Sequence, residues 1–592
     1  MDHVVSAPYK RVFYVSFQAV CNAIVIGLVA KGLVMLISLF TNLFFYGKFS
    51  FAESSPAFNH LGVYVILIPI AGSLIVGLLA RFGSKAIRGH GIPEAMENII
   101  LNESKIPPKI TWLKPLSAAI SIGSGGPFGA EGPIIATGGA IGSLTGQIIH
   151  ISVAERKVIL AAGACAGMSA IFGSPLAAIL LAIELLLFEF SPRSIVPVAL
   201  ACITGAGMHL WLFEHSPVFA MPEIPVVSTT ALVAYTVMGV LTGILATCIS
   251  KSVYWVEDMF EKLPVHWMWW PAIGGAVVGI IGYFAPHTMG VGYDNIRNLL
   301  TGTLPLTILF ALCVLKYLSW VIALGSGTSG GTLAPLFTIG GAWGALLGVL
   351  ANRFFPELEV NIATAALIGM AALFAGSSRA LLTAIVFALE TTGKANGLLP
   401  LVAACSTAYF VSFFLMRGSI MTEKIRRRGV DTPLHYLPDP LQTFLVNSVM
   451  NNKPFTIYDN YSKNEAVSIL EKHSSYYLQY IPIITANNTF TGYLNRDTLN
   501  SSDREARIEA AELYVKASDS LLKVVKLLHY NCLDLLAVVD DNKQLIGTIS
   551  AANVIMIYEQ KLKAENRYHS AFFGDKQLLR IMAKGKKLLT IR

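Results

Sequence analysis

Gly123 to Leu144 reads GSGGPFGAEGPIIATGGAIGSL, and Gly325 to Leu346 reads GSGTSGGTLAPLFTIGGAWGAL. The two stretches lie 202 residues apart without a gap, and ten of their 22 positions are identical. The offset carries on to Gly167-Met168-Ser169-Ala170-Ile171-Phe172 against Gly369-Met370-Ala371-Ala372-Leu373-Phe374. It then slips by four, so that Ala182-Ile183-Glu184 answers Ala388-Leu389-Glu390. Self-similarity of this extent points to a duplicated unit. Pro133 and Pro335 hold matching places in the two copies, each where a helix can begin without losing a hydrogen bond to proline.

The surroundings of the repeat say where it lives. Of the 592 residues 54% are hydrophobic and 14% charged, against about 25% charged in ordinary soluble domains. The charge is also uneven, since 34 of the 80 charged residues fall within 441–592. The first three quarters repeatedly offers apolar runs near the roughly 20 residues that cross a bilayer: 12–46, 61–81, 158–188, 194–213, 229–250, 268–285, 305–324, 333–351, 362–390 and 398–416. The expectation is a polytopic membrane protein with a soluble tail. Lys10 and Arg11 precede an apolar run too long for a cleavable signal, so a first membrane segment is expected there. Seven single cysteines suggest neither a disulfide framework nor a metal or redox site. The net charge of +8 sits beside apolar segments (Lys10, Arg11; Arg156, Lys157; Arg426, Arg427, Arg428). The positive-inside rule accounts for it without a nucleic-acid partner and puts those flanks in the cytoplasm.

A duplicated membrane unit with glycine-rich breaks at matching places is the pattern of a two-repeat channel or transporter, in which interrupted helices meet near the midplane. Their N-terminal N–H groups lack partners and carry the positive end of the helix dipole, so they can hold a small anion weakly enough to release it. Close packing of helices through the glycines is the alternative reading. Neither run matches a nucleotide P-loop, and no nucleophile/base constellation or metal-ligand spacing stands out, so neither an enzyme nor a metal site is expected. The one carboxylate inside the repeat is Glu131, facing Leu333 in the second copy. An ionisable group in a membrane segment is a functional hypothesis by default. Among anion-attracting helix ends it would compete with the permeant ion, which makes it a gate and a candidate proton carrier. Glu184 and Glu390 end apolar runs with no polar partner near them in the sequence.

Three motifs in order now carry a resemblance. Gly89-His90-Gly91-Ile92-Pro93-Glu94 is similar to the GSGIP segment, Gly129-Ala130-Glu131-Gly132-Pro133 to GREGP, and Gly331-Thr332-Leu333-Ala334-Pro335 to GxFxP, of the CLC family of chloride channels and chloride/proton antiporters. The resemblance implies an all-α polytopic membrane domain of two inverted repeats with broken helices, over 1–430, with repeats around 61–215 and 229–425. It implies a homodimer in the lipid of a cell (inner) membrane, with chloride or another small anion as cargo and protons as a candidate second ion. It also implies that Glu131 is the external gating glutamate. Gly89, His90, Gly91, Ile92, Pro93, Ala130, Gly132, Thr332, Leu333, Ala334 and Met421 would border the anion path.

The departures bear on mechanism. His90 stands where much of the family has serine, Met421 where a tyrosine is common, Ala130 for arginine and Leu333 for phenylalanine. Aligning Pro175-Leu176-Ala177-Ala178-Ile179-Leu180 with the family puts Glu184 on the first glutamate of a frequent pair and Leu185 on the second, the internal proton acceptor of many antiporters. That loss tilts the reading towards proton-uncoupled, channel-like conduction. An antiporter with another internal proton route is the alternative, and a conduction-free nucleotide sensor is the rival of a different class.

After a proline-containing linker, 431–445, the tail 446–592 alternates helix and short strand twice, 446–500 and 511–565. It resembles a cytoplasmic α/β tandem pair of CBS domains, with both termini of the chain then in the cytoplasm. In that domain type an acid at the end of the motif can hold an adenosine ribose. Asp497 fits that place and Asn553 replaces it in the second copy, so an adenine nucleotide and a purely structural dimerisation role both stay open.

Overall fold

The structure is a computed structural model that describes residues 8–149, 151–213, 217–430, 441, 444–461, 479–496, 507–508, 512–557 and 559. The chain divides into two compact units, Met1–Tyr436 and Leu437–Arg592. The first is helical throughout. Its opening half runs α1 Pro8–Tyr46, α2 Leu67–Phe82, α3 Ile92–Leu101, α4 Ile110–Gly123, α5 Glu131–Ile148, α6 Val153–Phe172, α7 Pro175–Leu181 and α8 Pro192–Leu212. The second half runs α9 Thr229–Glu261, α10 Trp270–Phe284, α11 Tyr293–Thr301, α12 Leu306–Phe310, α13 Lys316–Gly325, α14 Leu333–Phe354, α15 Ile362–Ser378, α16 Leu381–Thr392 and α17 Leu398–Leu415, and a short α18 Glu423–Arg427 closes the unit. The 202-residue offset is visible in the elements: α4 and α13 end at Gly123 and Gly325, and α5 and α14 begin at Glu131 and Leu333.

Among the described residues eight helices are long and apolar enough to cross a membrane. Large apolar side chains such as Phe13, Phe17 and Leu28 on α1 and Val233 and Val237 on α9 stay exposed, as lipid-facing positions must. Two apolar runs expected as single segments are each two helices. The run 158–188 breaks at Gly173, which caps α6 in the left-handed region (φ 60°), and Pro175 then starts α7. The run 362–390 breaks at Arg379, also left-handed (φ 63°). The glycine-rich stretches between the expected segments are helices themselves. Gly138 and Gly142 of α5 rest on the carbonyls of Gly163 and Ile159 in α6, and Gly340 and Gly344 of α14 rest on those of Gly369 and Ala365 in α15. Part of the glycine content therefore does serve helix packing. Matching caps start α6 and α15: Ser152 Oγ accepts from the Glu155 amide and Asn361 Oδ1 from the Thr364 amide.

In the second unit, strands β1 Ile457–Tyr458, β2 Tyr480–Ile484, β3 Phe490–Asn495 and β4 Arg507–Ile508 form one sheet in that order, and β5 Tyr514–Lys516, β6 Leu535–Val539 and β7 Leu545–Ser550 form another. The two hairpins are copies: Tyr480 pairs with Asn495 as Leu535 pairs with Ser550, and the register shifts at Ile483/Ile484 as it does at Val538/Val539. Tyr493 links the copies, its hydroxyl donating to Leu513 O (2.6 Å) and accepting from the Ala537 amide (2.9 Å). Asp497 and residues 431–440 of the linker lie outside the described residues.

Candidate functional site

Three chain breaks converge in the first unit. The loops before α3, α5 and α14 are stitched by backbone hydrogen bonds. Gly129 and Gly331 exchange both of theirs (3.3 and 3.0 Å), Gly89 N donates to Thr328 O (3.2 Å), and Gly330 N donates to Gly89 O (3.4 Å). The approach is close because side chains are missing where backbones cross. A Cβ on Gly132 would stand 2.0 Å from His90 O, and one on Gly91, where φ is +99°, 2.0 Å from Gly132 O. Sequence-expected residues 89–93, 129–132 and 331–334 are thereby brought to one place. Met421 comes in on a fourth segment: Ile420 N donates to Ser377 O (2.9 Å), and Tyr254 Oη donates to Ile420 O (2.7 Å). An ion pair between Lys424 Nζ and Glu94 Oε1 (2.8 Å) ties α18 to α3, while Glu94 Oε2 accepts from the Gly91 amide (2.6 Å).

Each converging break carries a buried polar atom without a hydrogen-bond partner: His90 Nδ1, Glu131 Oε2 and Thr332 Oγ1. Such atoms are few in folded proteins and each calls for an explanation, a bound ion among them. Glu131 is fully buried. Its Oε1 accepts from Tyr293 Oη at 3.0 Å, and its Oε2 lies against Gly129 and Gly331. Leu333, its counterpart, is equally buried and offers only backbone.

The site is reached from two sides. A cavity of about 750 Å³ is walled by Lys85, Arg88, His90, Glu94, Glu257 and Lys424, among others. A smaller one of about 140 Å³ is walled by Glu53, Ala130, His287, Tyr293 and Asp294. Residues 53–58 precede the membrane-spanning segment Gly62–Phe82 and residues 85–90 follow it, so the two cavities open on opposite faces. The larger also carries Lys105, Lys114 and Arg428, so its cations outnumber its acids, whereas the smaller has Glu53 and Asp294 and, among the described residues, no lysine or arginine on its wall. The charge on the walls favours anions at the first more than at the second.

Glu184 and Glu390, with no polar partner near them in the sequence, find partners far along the chain. Glu184 accepts from Leu382 N (3.0 Å), Thr383 N (2.9 Å) and Thr383 Oγ1 (2.7 Å) at the start of α16. Glu390 accepts from Leu176 N (3.0 Å) and Ala177 N (2.8 Å) at the start of α7. Each caps the other's helix, an arrangement invisible in sequence because the partners are backbone amides. Leu185 is buried in a π-turn, 182–187, that continues α7.

Three functional-looking residues escaped the sequence reading. Lys114 Nζ donates to Ile87 O (2.8 Å) and Gly89 O (2.9 Å), and Lys316 Nζ donates to Thr288 O and Gly290 O (3.2 Å each). They brace the turns before α3 and α11 and stand 202 residues apart, a signal the repeat contains. Tyr293 opens α11, where Gly290-Val291-Gly292-Tyr293 echoes Gly89-His90-Gly91-Ile92.

Comparison with known proteins agrees with this architecture. Residues 71–413 match the voltage gated chloride channel family and residues 510–559 match the CBS domain. A putative chloride channel protein ClcB-like from Ralstonia nicotianae is 26% identical over 371 residues, 62% of this chain and 86% of that protein. An H(+)/Cl(-) exchange transporter ClcA from Yersinia pestis is 30% identical over 352 residues, 57% and 72% of the two chains. A slow cyanobacterial Cl-/H+ antiporter superposes with a TM-score of 0.62 at 25% identity, covering 69% of this chain and 98% of that one. A eukaryotic CLC transporter, at 19% identity, shares the fold with a TM-score of 0.56 over 91% and 98%. Three stitched helix starts, a buried glutamate among them and a match across most of the helical unit lead to one conclusion: this chain belongs to the voltage gated chloride channel (CLC) family and carries a C-terminal CBS module.

Proposed function

We propose that this chain conducts chloride down its gradient through the meeting point of α3, α5 and α14, with Glu131 as the gate and no proton moved in exchange. The observation that carries the gating is the seat of Glu131. Its charged carboxylate fills the space between the starts of α5 and α14, where helix dipoles and free N–H groups favour an anion. Chloride and the carboxylate compete for that seat, and protonation or displacement of Glu131 opens it. The anion is held by backbone of 89–93, Ala130, Gly132 and 332–334, beside Met421, with His90 Nδ1 and Thr332 Oγ1 as side-chain donors. Many amides and no lysine in direct contact keep binding weak enough for flux.

The proton-uncoupled half is supported by the position where an internal proton acceptor is common, now Leu185, and by the neighbouring Glu184. Leu185 is apolar and buried, and Glu184 has both oxygens committed to α16. A second reading, exchange of chloride for protons, is favoured by the names of the exchange transporters this chain is similar to and by Glu257 and Glu261 on the wall of the larger cavity beside His90. The protein is further proposed to work as a homodimer in the inner membrane of a cell, with the larger cavity, Arg426 to Arg428 and both termini on the cytoplasmic side. For the tail we favour a dimerisation role. Asn553 turns its Oδ1 onto Ser550 N (3.0 Å) and Oγ (2.6 Å), which leaves Asp497 as the acid for an adenine nucleotide, the alternative ligand.

The test is purified protein in chloride-loaded liposomes, with chloride efflux and external pH recorded together. Chloride efflux without proton movement supports the proposal. Uphill proton movement at a fixed ratio to chloride overturns the uncoupled half in favour of exchange, and no chloride flux overturns the whole.

A further inference from the structure

We infer that Tyr293 is the positioning residue that holds the Glu131 gate shut, its phenol fastening the charged carboxylate in the seat between α5 and α14. This rests on Glu131 being the gate. The hydroxyl stands 3.0 Å from Glu131 Oε1, and beside the backbone of Glu131 and Ala334 it makes the one side-chain hydrogen bond to this carboxylate among the described residues.

The phenol is aimed rather than loosely placed. Its ring packs edge-on against Phe172 (5.9 Å between centroids) and Phe219 (5.9 Å), and Phe172 packs in turn on Phe387 (5.0 Å). Its backbone follows Gly292 in the left-handed region (φ 81°), in the turn that Lys316 braces through Thr288 O and Gly290 O. The ring and its helix are thus fixed from both sides, and Tyr293 also lines the smaller cavity together with Ala130, the residue before Glu131.

The chemistry gives the sign. A phenol donates to a carboxylate in a charge-assisted bond roughly twice as strong as its bond to the neutral acid, so the contact favours the charged, seated form. The other charged and titratable groups facing this pair are Lys316 on α13, Arg297 and Asp294 on α11, and Glu53 and His287 in the loops of the smaller cavity. None of them hydrogen-bonds the carboxylate. At the inner end, where Met421 stands, the phenol of Tyr254 is spent on Ile420 O (2.7 Å), whereas at the outer end the phenol of Tyr293 is on the gate itself.

The experiment is Tyr293→Phe in the full-length protein, reconstituted beside wild type, Glu131→Gln and the double variant, with chloride efflux measured across pH. Phenylalanine keeps the ring among Phe172 and Phe219. Wild-type efflux is expected to fall as pH rises, because deprotonated Glu131 blocks. Without the phenol the falling limb moves upward by about one pH unit, a tenfold change in the proton concentration needed, with the acidic plateau unchanged. In the Glu131→Gln background Tyr293→Phe changes nothing. As a readout independent of flux, the carboxylic C=O infrared band that Glu131→Gln removes disappears on alkalinisation at correspondingly higher pH in Tyr293→Phe. An unmoved profile, a plateau lowered at every pH without a shift, or an equal effect in Glu131→Gln overturns the inference while leaving Glu131 as gate. Wild-type efflux that is absent, or indifferent to Glu131→Gln, fails the proposed function itself.

Discussion

Gly132→Ala tests whether the anion seat depends on backbone meeting backbone. A Cβ at this position would stand 2.0 Å from His90 O and 2.7 Å from Gly331 Cα, where ordinary contact begins at 3.4 Å. The first crossing must therefore open by 1.4 Å and the second by 0.7 Å. Neither neighbour is the tip of a flexible side chain, and Gly331 and Gly89, which adjoins His90, are tied by hydrogen bonds between the loops. Over-packing of this kind costs about 1–3 kcal/mol, but alanine in place of a helical glycine returns up to about 1 kcal/mol. Thermal stability alone is thus a blunt reading. Flux is sharper, since a displacement of about 1 Å in a preorganised site costs on the order of 100-fold. Chloride efflux from liposomes should fall by at least that factor in Gly132→Ala. The matched control is Gly139→Ala, on the same helix, where the nearest atom to the new Cβ is Leu160 Cδ2 at 3.3 Å, the end of a side chain that can turn away. It should conduct like wild type. Wild-type efflux from Gly132→Ala would refute the idea that close approach of α3, α5 and α14 forms the seat.

Two further substitutions probe the scaffold apart from the seat. Glu184→Ala leaves the Leu382 and Thr383 amides at the start of α16 without their acceptor, a loss of about 1–3 kcal/mol. The thermal midpoint of the purified protein should drop by a few degrees while the proton-to-chloride ratio stays as in wild type. A changed ratio would mean that Glu184 carries protons after all. Tyr493→Phe removes the hydroxyl between Leu513 O and the Ala537 amide and should destabilise the second unit by about 1–3 kcal/mol. Hydrogen exchange of the β6–β7 hairpin should quicken with chloride efflux unaltered, and unchanged exchange would sink the claim that this hydroxyl joins the copies.

How much of this was legible in the sequence depends on which atoms do the work. The repeat at offset 202 placed the starts of α5 and α14 and set Glu131 against Leu333, because side chains and glycines leave a trace in the string. The helical character of 131–148 was obscured by glycine, which reads as interruption but here lets Gly138 and Gly142 rest on carbonyls of α6, and that of 110–123 by Lys114 and Pro115 in mid-run. The break after α15 was hidden for the opposite reason: Arg379 takes a left-handed conformation with no glycine to announce it. Glu184 and Glu390 looked partnerless because what they bind is backbone some 200 residues away. Lys114 and Lys316 were readable, two lysines in apolar runs at the repeat's own spacing, and signify the same brace built twice.

That double brace shows what the duplication is for. Two copies of one scaffold supply matched helix starts, matched turns and matched lysines, and a cleft assembled from them alone would treat an anion alike from either face. Direction enters through places where the copies differ, and two of them meet at the seat. The first copy has Glu131 where the second has Leu333, and the second has Tyr293 where the first has Ile92. The fold brings the acid of one copy to within 3.0 Å of the phenol of the other. On the proposed function, control is concentrated at the smaller, acidic cavity, while the larger and more basic cavity gathers anions at the end where Met421 stands. On the proposed function, these two differences put a gate at one mouth and leave the collecting of anions to the other. Rate and pH dependence can therefore be altered at 131 and 293 without disturbing the backbone that holds the ion.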